Sequence, residues 1–341
     1  MHGWAFANQP TTASYTPSQS HNSLGGSVTV KRTSRGIYEA QFKKLGYSGT
    51  PLQVGNPQIV AVGTDPVHCK ATTAMSDGAA TDPSILLGVA CHDAAGALAD
   101  SKFVVMYASV DSTPAGEGAY GWFGPSCTPG GILNWNSTGS YINCTRTATG
   151  AYTIAAGQLG LTGVGANIQI TAQGSSSSSD RCRVSSWGPD GSEFKMYVRC
   201  HEDSGAAVAA DEGFYFNYSR AHATSLNGTG AYAYANNATS SSYTPGATFS
   251  NTSGVLAGKF QGTGRYWMSF PNLGIGNSRV PFVVAVGSTN AGGNYCKVEQ
   301  WFSGTKPNGS NYLEVQTRCF DGNHQPVNTV YMVHVPSHTI I

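Results

Sequence analysis

One spacing constrains this chain more than any other feature. Gly36-Ile37-Tyr38 returns as Gly150-Ala151-Tyr152 and again as Gly264-Arg265-Tyr266, 114 residues apart each time. Leu45-Gly46, Leu159-Gly160 and Leu273-Gly274 keep the same interval. Each set is followed by an apolar run closing on glycine: Ile59–Gly63, Ile168–Gly174 and Phe282–Gly287. A cysteine comes next (Cys69, Cys182, Cys296), then a turn, then a second cysteine followed by a ring and an acid. Those triplets are Cys91-His92-Asp93, Cys200-His201-Glu202 and Cys319-Phe320-Asp321. An aromatic-rich stretch ends each unit, at Phe103–Tyr107, Phe214–Tyr218 and Tyr331–Val335. The openings align as His2-Gly3-Trp4-Ala5, Tyr120-Gly121-Trp122-Phe123 and Tyr232-Ala233-Tyr234-Ala235. Self-similarity at this period marks tandem copies, each long enough to close its own core.

The copies span residues 1–110, 119–219 and 231–341, with linkers at Asp111–Gly118 and Arg220–Gly230. No stretch holds a 3.6-residue apolar period, and short apolar runs alternate with Gly, Ser, Asn and Pro. The expected fold is all-β: three tandem β-sandwich or jelly-roll repeats of seven or eight strands each.

The eight cysteines define hairpins. The midpoint of Cys182 and Cys200 falls in Gly188-Pro189-Asp190-Gly191, that of Cys296 and Cys319 in Lys306-Pro307-Asn308-Gly309, and that of Cys69 and Cys91 near Ser76-Asp77-Gly78. A turn at the midpoint sets the two cysteines opposite each other on antiparallel strands, within bonding reach. The expected disulfides are therefore Cys69–Cys91, Cys182–Cys200 and Cys296–Cys319. Cys127 and Cys144 are left to pair with each other. Each bond closes a loop worth about 3 kcal/mol of chain entropy. An even cysteine count without C-x-x-C fits an oxidising, extracellular compartment. His2-Gly3-Trp4 reads as a mature start behind an added Met1.

The same register sorts side chains by face. In the second copy Arg183 is expected opposite Arg199, on a face shared with Trp187 and Tyr197. In the third, Lys297 opposes Arg318 beside Trp301. Opposed like charges destabilise a ladder unless something satisfies them. Carboxylates of a neighbouring copy or aromatic stacking would do so; so would an anionic or sugar ligand. The candidate binding residues are thus Trp187, Arg183, Arg199, Tyr197, Trp301, Lys297 and Arg318. In the first copy the register sets His68 opposite His92, with Asp93 adjacent. These three are the candidate acid–base residues if the protein is a hydrolase or lyase. Two imidazoles fall short of a metal's ligand set, so no metal is expected. There is no P-loop, G-x-S-x-G or H-E-x-x-H, and no cofactor is implied.

With 11% charged residues and a net charge of +1, bulk electrostatics cannot drive binding to nucleic acid. The apolar runs are of strand length, well short of the ~20 residues of a membrane-spanning helix. The leading expectation is a secreted binding or surface protein that recognises carbohydrate or another extracellular polymer. An extracellular polymer-degrading enzyme and a structural coat or matrix protein are the alternatives.

The succession Gly-x-Tyr, apolar strand, Cys, Trp-bearing hairpin, Cys-Phe/His-Asp/Glu and aromatic final strand resembles tandem repeats of secreted bacterial proteins of actinomycete type. Gly262–Gly274 and Tyr295–Asp321 carry it best, and the first copy lacks the hairpin Trp. That resemblance implies location and architecture, and no activity. The strand pattern is also similar to the jelly rolls of the TNF and C1q proteins. Those assemble as trimers, which implies that three units in one chain would form a monomer with an internal pseudo-threefold repeat.

Overall fold

The structure is a computed structural model, described here for residues 1–49, 52–53, 56–108, 118–128, 134–160, 165–203, 208–220, 230–250, 254–273, 280–287 and 292–336. Both linkers lie almost wholly outside these residues. Every element among them is a strand, arranged in three sheets of eight, ten and eight strands. Each sheet joins half of one copy to half of another. The first runs Ala257–Gly262, Arg265–Pro271, Asn311–Phe320 and Tyr295–Thr305 of the third copy, then Pro57–Val62, Lys102–Ala108, His2–Ala7 and Ser20–Asn22 of the first. The second sheet joins the first and second copies in the same way, and the third joins the second and third. Each copy is therefore a sandwich whose two layers belong to different sheets, and the three copies close a ring. This is the single-chain pseudo-trimer.

The ring is closed at three seams, each a short parallel contact between a buried strand and a cysteine hairpin. Gln173 pairs with Ala71, Val184 with Val286, and Val298 with Val62. The glycine ending each apolar run secures its seam: Gly174 N donates to Ala71 O (3.1 Å), Gly287 N to Val184 O (3.2 Å) and Gly63 N to Val298 O (2.9 Å). The runs are apolar throughout because both faces are covered; every residue of Pro57–Val62 and Phe282–Val286 is buried. Each sandwich core is completed by its neighbour. Trp4, Val60, Val62, Val104 and Met106 of the first copy join the third copy's core, and Val284, Val286 and Met332 of the third join the second's.

The repeated Gly-x-Tyr has a local cause. Gly36, Gly150 and Gly264 sit at φ of 68°, 63° and 66°, the left-handed region that costs glycine least. A Cβ there would fall 2.8, 2.4 and 2.4 Å from the carbonyl oxygens of Cys91, Cys200 and Cys319. The tyrosine hydroxyl accepts a backbone N–H from Ser101, Glu212 or Thr329. In the first two copies it also lies within hydrogen-bonding distance of Asp100 or Asp211. Those contacts make Asp100, Asp211 and Asn328 equivalent, since each accepts the N–H of its Gly-x-Tyr glycine. Ser101, Glu212 and Thr329 follow as the next equivalent set.

All four disulfides form between the expected partners. The three hairpin bridges join directly opposed residues with Cα atoms 4.0–4.1 Å apart. Cys127–Cys144 instead ties the edge strand Ile142–Ala148 to the turn after Gly118–Phe123, stapling the two layers of the second sandwich.

Two readings of the sequence need correction. The openings align through their pairing with the final strands: Ala7 opposes Phe103, Phe123 opposes Phe214, and Ala235 opposes Tyr331. Trp4 therefore matches Tyr120 and Tyr232, while Phe6 matches Trp122 and Tyr234, a shift of two residues in the first copy. The second correction concerns the hairpins. A β-bulge follows each seam, at Thr72, Ser185 and Glu299. One extra residue reverses the side-chain phase beyond it. Trp187 thus opposes Met196 and Trp301 opposes Val315, so both indoles turn toward the core, not onto the face of Arg183 and Lys297.

Candidate functional site

The register before each bulge holds as expected: Arg183 opposes Arg199, Lys297 opposes Arg318, and His68 opposes His92. What covers these faces could not be read from one hairpin. Arg183 and Lys297 are each only 2% exposed, because the next copy's buried strand lies over them. Arg183 Nη1 donates to Gly287 O at 2.7 Å and Lys297 Nζ to Asp65 O at 2.7 Å, so neighbouring backbone carbonyls answer the cations. Arg318 is held by Glu299, whose other oxygen takes Arg265. Tyr197 remains exposed and Arg199 half-buried. The seven binding candidates therefore do not form one surface; four of them, Arg183, Lys297, Trp187 and Trp301, belong to seams.

The hairpin tryptophans pack across those seams. Trp301 meets Phe6 edge-on with centroids 4.7 Å apart, and Trp187 meets Tyr234 likewise at 4.8 Å. The first copy has Ala74 at the equivalent hairpin position, and there the facing residue is Trp122, half-buried against the core that holds Ala74. The missing hairpin Trp is thus supplied from the other side of the seam. Volume is conserved across the contact, as packed interiors require.

His68, Arg181 and Tyr295 precede the three seam cysteines, and they converge where the pseudo-threefold axis emerges. Arg181 Cζ lies 4.6 Å from the Tyr295 ring centre, and His68 stacks on His92 at 5.7 Å. Fully buried Asp203 pairs with Arg181 and lies 2.9 Å from His324 Nε2 and 3.7 Å from His68 Nδ1. Burial, reinforced by the Arg181 charge, lowers the pKa of both His68 and His324. Neutral imidazoles around one Asp–Arg pair make a structural plug. His68 Nε2 and His92 Nε2 bond the carbonyls of Ser179 and Ser176, and Asp93 accepts the N–H groups of Ala95 and Ala97 in its own turn. The His68–His92–Asp93 set is therefore committed to backbone partners. Among the described residues, no three His, Cys, Asp or Glu side chains are placed to share a metal ion.

The third–first seam carries an open groove. A depression of about 240 Å³ is lined by Phe6, Trp301, Gln19, Gln300, Glu299 and Lys102. A second, of about 270 Å³, is lined by Pro10, Thr64, Asp65, Val67, Asp100, Ser101 and Lys297. Val62, Gly63 and Lys102 border both, so the two form one groove along the seam. Its one end is aromatic with side-chain amides, and its other end is polar. Burial lowers Lys297 to about 8, with Asp65 pulling in the opposite direction. Asp100 is neutralised by Arg32 at 2.9 Å.

At the first–second seam the corresponding space is filled. Glu212, 6% exposed, reaches to 3.4 Å from Lys70 Nζ, and Ser178 Oγ bonds both groups. Burial pushes Glu212 up to about 8, nearby Asp180 adds to this, and Lys70 opposes it. Sequence reasoning missed this groove because its walls come from residues more than 200 positions apart. Trp301 and Lys297 are the parts of it that the sequence signalled.

Comparison with protein-family models, curated proteins and solved structures finds no match to this chain. Functional inference rests on the geometry of the seams.

Proposed function

We propose that the protein is a secreted binding protein that engages an extracellular carbohydrate polymer in the groove at the third–first seam. The observation that carries this reading is the continuity of the two depressions across Val62, Gly63 and Lys102, with the Phe6–Trp301 pair at one end. Sugars present an apolar ring face and a rim of hydroxyls. A half-buried aromatic flanked by the Gln19 and Gln300 amides and the Glu299 carboxylate matches both. Two depressions that share a border suit a chain better than a monosaccharide. Four disulfides fit an oxidising exterior. The sequence resemblance to secreted bacterial repeats points the same way.

The test is a glycan array and polymer pull-down with the wild type, Trp301→Ala and Trp187→Ala. Binding lost with Trp301→Ala and retained with Trp187→Ala supports the groove, since Trp187 plugs a different seam. Absence of binding to any glycan, or binding indifferent to Trp301, refutes it.

A further inference from the structure

The three seams are copies of one contact, so each is a control for the others. At each, a buried cation follows the seam cysteine: Lys70, Arg183 and Lys297, exposed by 1%, 2% and 2%. The equivalent residues Glu212, Thr329 and Ser101 come from the next copy: Glu212 meets Lys70, Thr329 bonds the Val286 carbonyl, and Ser101 lines one depression with Lys297. At the first–second seam the cation meets a protein carboxylate. A Cβ built on Gly174 would lie 1.8 Å from Glu212 Oε1 and 3.2 Å from Lys70 Nζ, which locates that carboxylate beside the seam glycine. At the second–third seam the cation is the longer Arg183, satisfied by Gly287 O, and Thr329 Oγ1 bonds Val286 O.

The third–first seam keeps the lysine and loses the acid. Ser101 turns its hydroxyl onto Lys102 O, and a Cβ built on Gly63 meets nothing nearer than Lys297 Nζ at 4.0 Å. The space taken by the Glu212 side chain at one seam is open pocket at the other. We propose that this pocket takes a ligand carboxylate, held by Lys297 Nζ as Glu212 is held by Lys70, so that the bound polymer is a uronate-containing glycan. This rests on the carbohydrate reading of the groove and names the class of sugar. The surrounding charges are compatible with it: Asp100 is tied to Arg32 and Arg318 to Glu299, while Lys102 on the rim offsets exposed Asp65. Among the described residues the Lys297 ammonium donates to one group, the Asp65 carbonyl, and so retains donors for an incoming anion.

The experiment is calorimetric titration of the full chain with trimers of galacturonate, glucuronate and mannuronate, each beside its methyl ester, and with glucuronate alone. At least one acid trimer should bind about ten- to hundredfold tighter than its ester, the range of a charge-assisted hydrogen bond. Lys297→Gln should bring the ratio to about one. Ser101→Glu rebuilds the Glu212–Lys70 contact inside the chain. It should abolish acid binding while the melting temperature holds or rises, which separates occlusion from misfolding. Acids and esters bound alike, with Trp301 required, would overturn the carboxylate site and leave the carbohydrate groove standing. Glucuronate bound through Lys297 while no trimer gains affinity would keep the site and overturn the polymer. Acid binding unaffected by Ser101→Glu would overturn the proposal outright, as would no binding of any probe.

Discussion

Asp203 is the residue on which the axial plug depends, and its removal tests the architecture directly. Its side chain has no solvent exposure and faces Arg181, itself 7% exposed, together with His324 and His68. Asp203→Ala leaves the guanidinium buried beside two imidazoles and the Tyr295 ring, with the Gly293 and Gly322 carbonyls as its acceptors among the described residues. Breaking a buried pair by removing one partner costs about 3–5 kcal/mol, most of it the stranded charge. An unfolding entropy of about 2.1 cal/mol/K per residue gives this chain roughly 0.7 kcal/mol/K, so the melting temperature should fall by about 4–7 °C. Arg181→Met combined with Asp203→Ala removes both charges and should recover most of the loss, a coupling a double-mutant cycle reads directly. Calorimetry with the disulfides oxidised is the assay. A fall below about 1 °C in the single variant, or no recovery in the double, would refute the view that this pair is a buried, mutually compensating unit on the axis.

Other outcomes follow from the same contacts. Gly150→Ala imposes a left-handed alanine and drives its Cβ to 2.4 Å from Cys200 O; chemical denaturation should register a loss of about 1–3 kcal/mol. Ala74→Trp crowds Trp122 at the first–second seam and should cost about 1–3 kcal/mol, with Trp122→Ala in the same chain restoring much of it. His334 is fully buried and burial lowers it to about 3, below its unfolded value near 6.5. The unfolded chain binds the proton first as pH falls, so His334 contributes stability above pH 6.5 that is lost toward pH 3, at up to about 1.4 kcal/mol per pH unit. Urea midpoints across that range in the wild type and His334→Phe should show a shallower acid limb in the variant; parallel limbs would argue against it.

How much was legible depended on how far apart the determining residues lie. The strands, hairpins, disulfides and the pairs His68–His92 and Lys297–Arg318 are local, set by alternation and by turns at hairpin midpoints. A bulge is invisible to that arithmetic because it adds one residue without adding turn chemistry. The faces of Trp187 and Trp301 were therefore misplaced even though their strands were found. The shift in the first copy's opening had a similar cause: Trp4 and Trp122 share a residue type, but pairing with the final strand decides equivalence.

By itself the sequence determined an all-β chain of three similar units and which cysteines bond, since the repeat shows on comparing one stretch with the next and the hairpin disulfides span 18 to 23 residues around a turn. Tertiary structure alone decided that the units close a ring through parallel seams, because an apolar run buried on both faces does not say which strand lies beside it. It also decided that the cations expected on outer faces are buried, since the next copy covers them. That Ser101 stands where Glu212 does one seam away is written in the sequence. It gains meaning only when the fold sets Lys297 opposite one and Lys70 opposite the other.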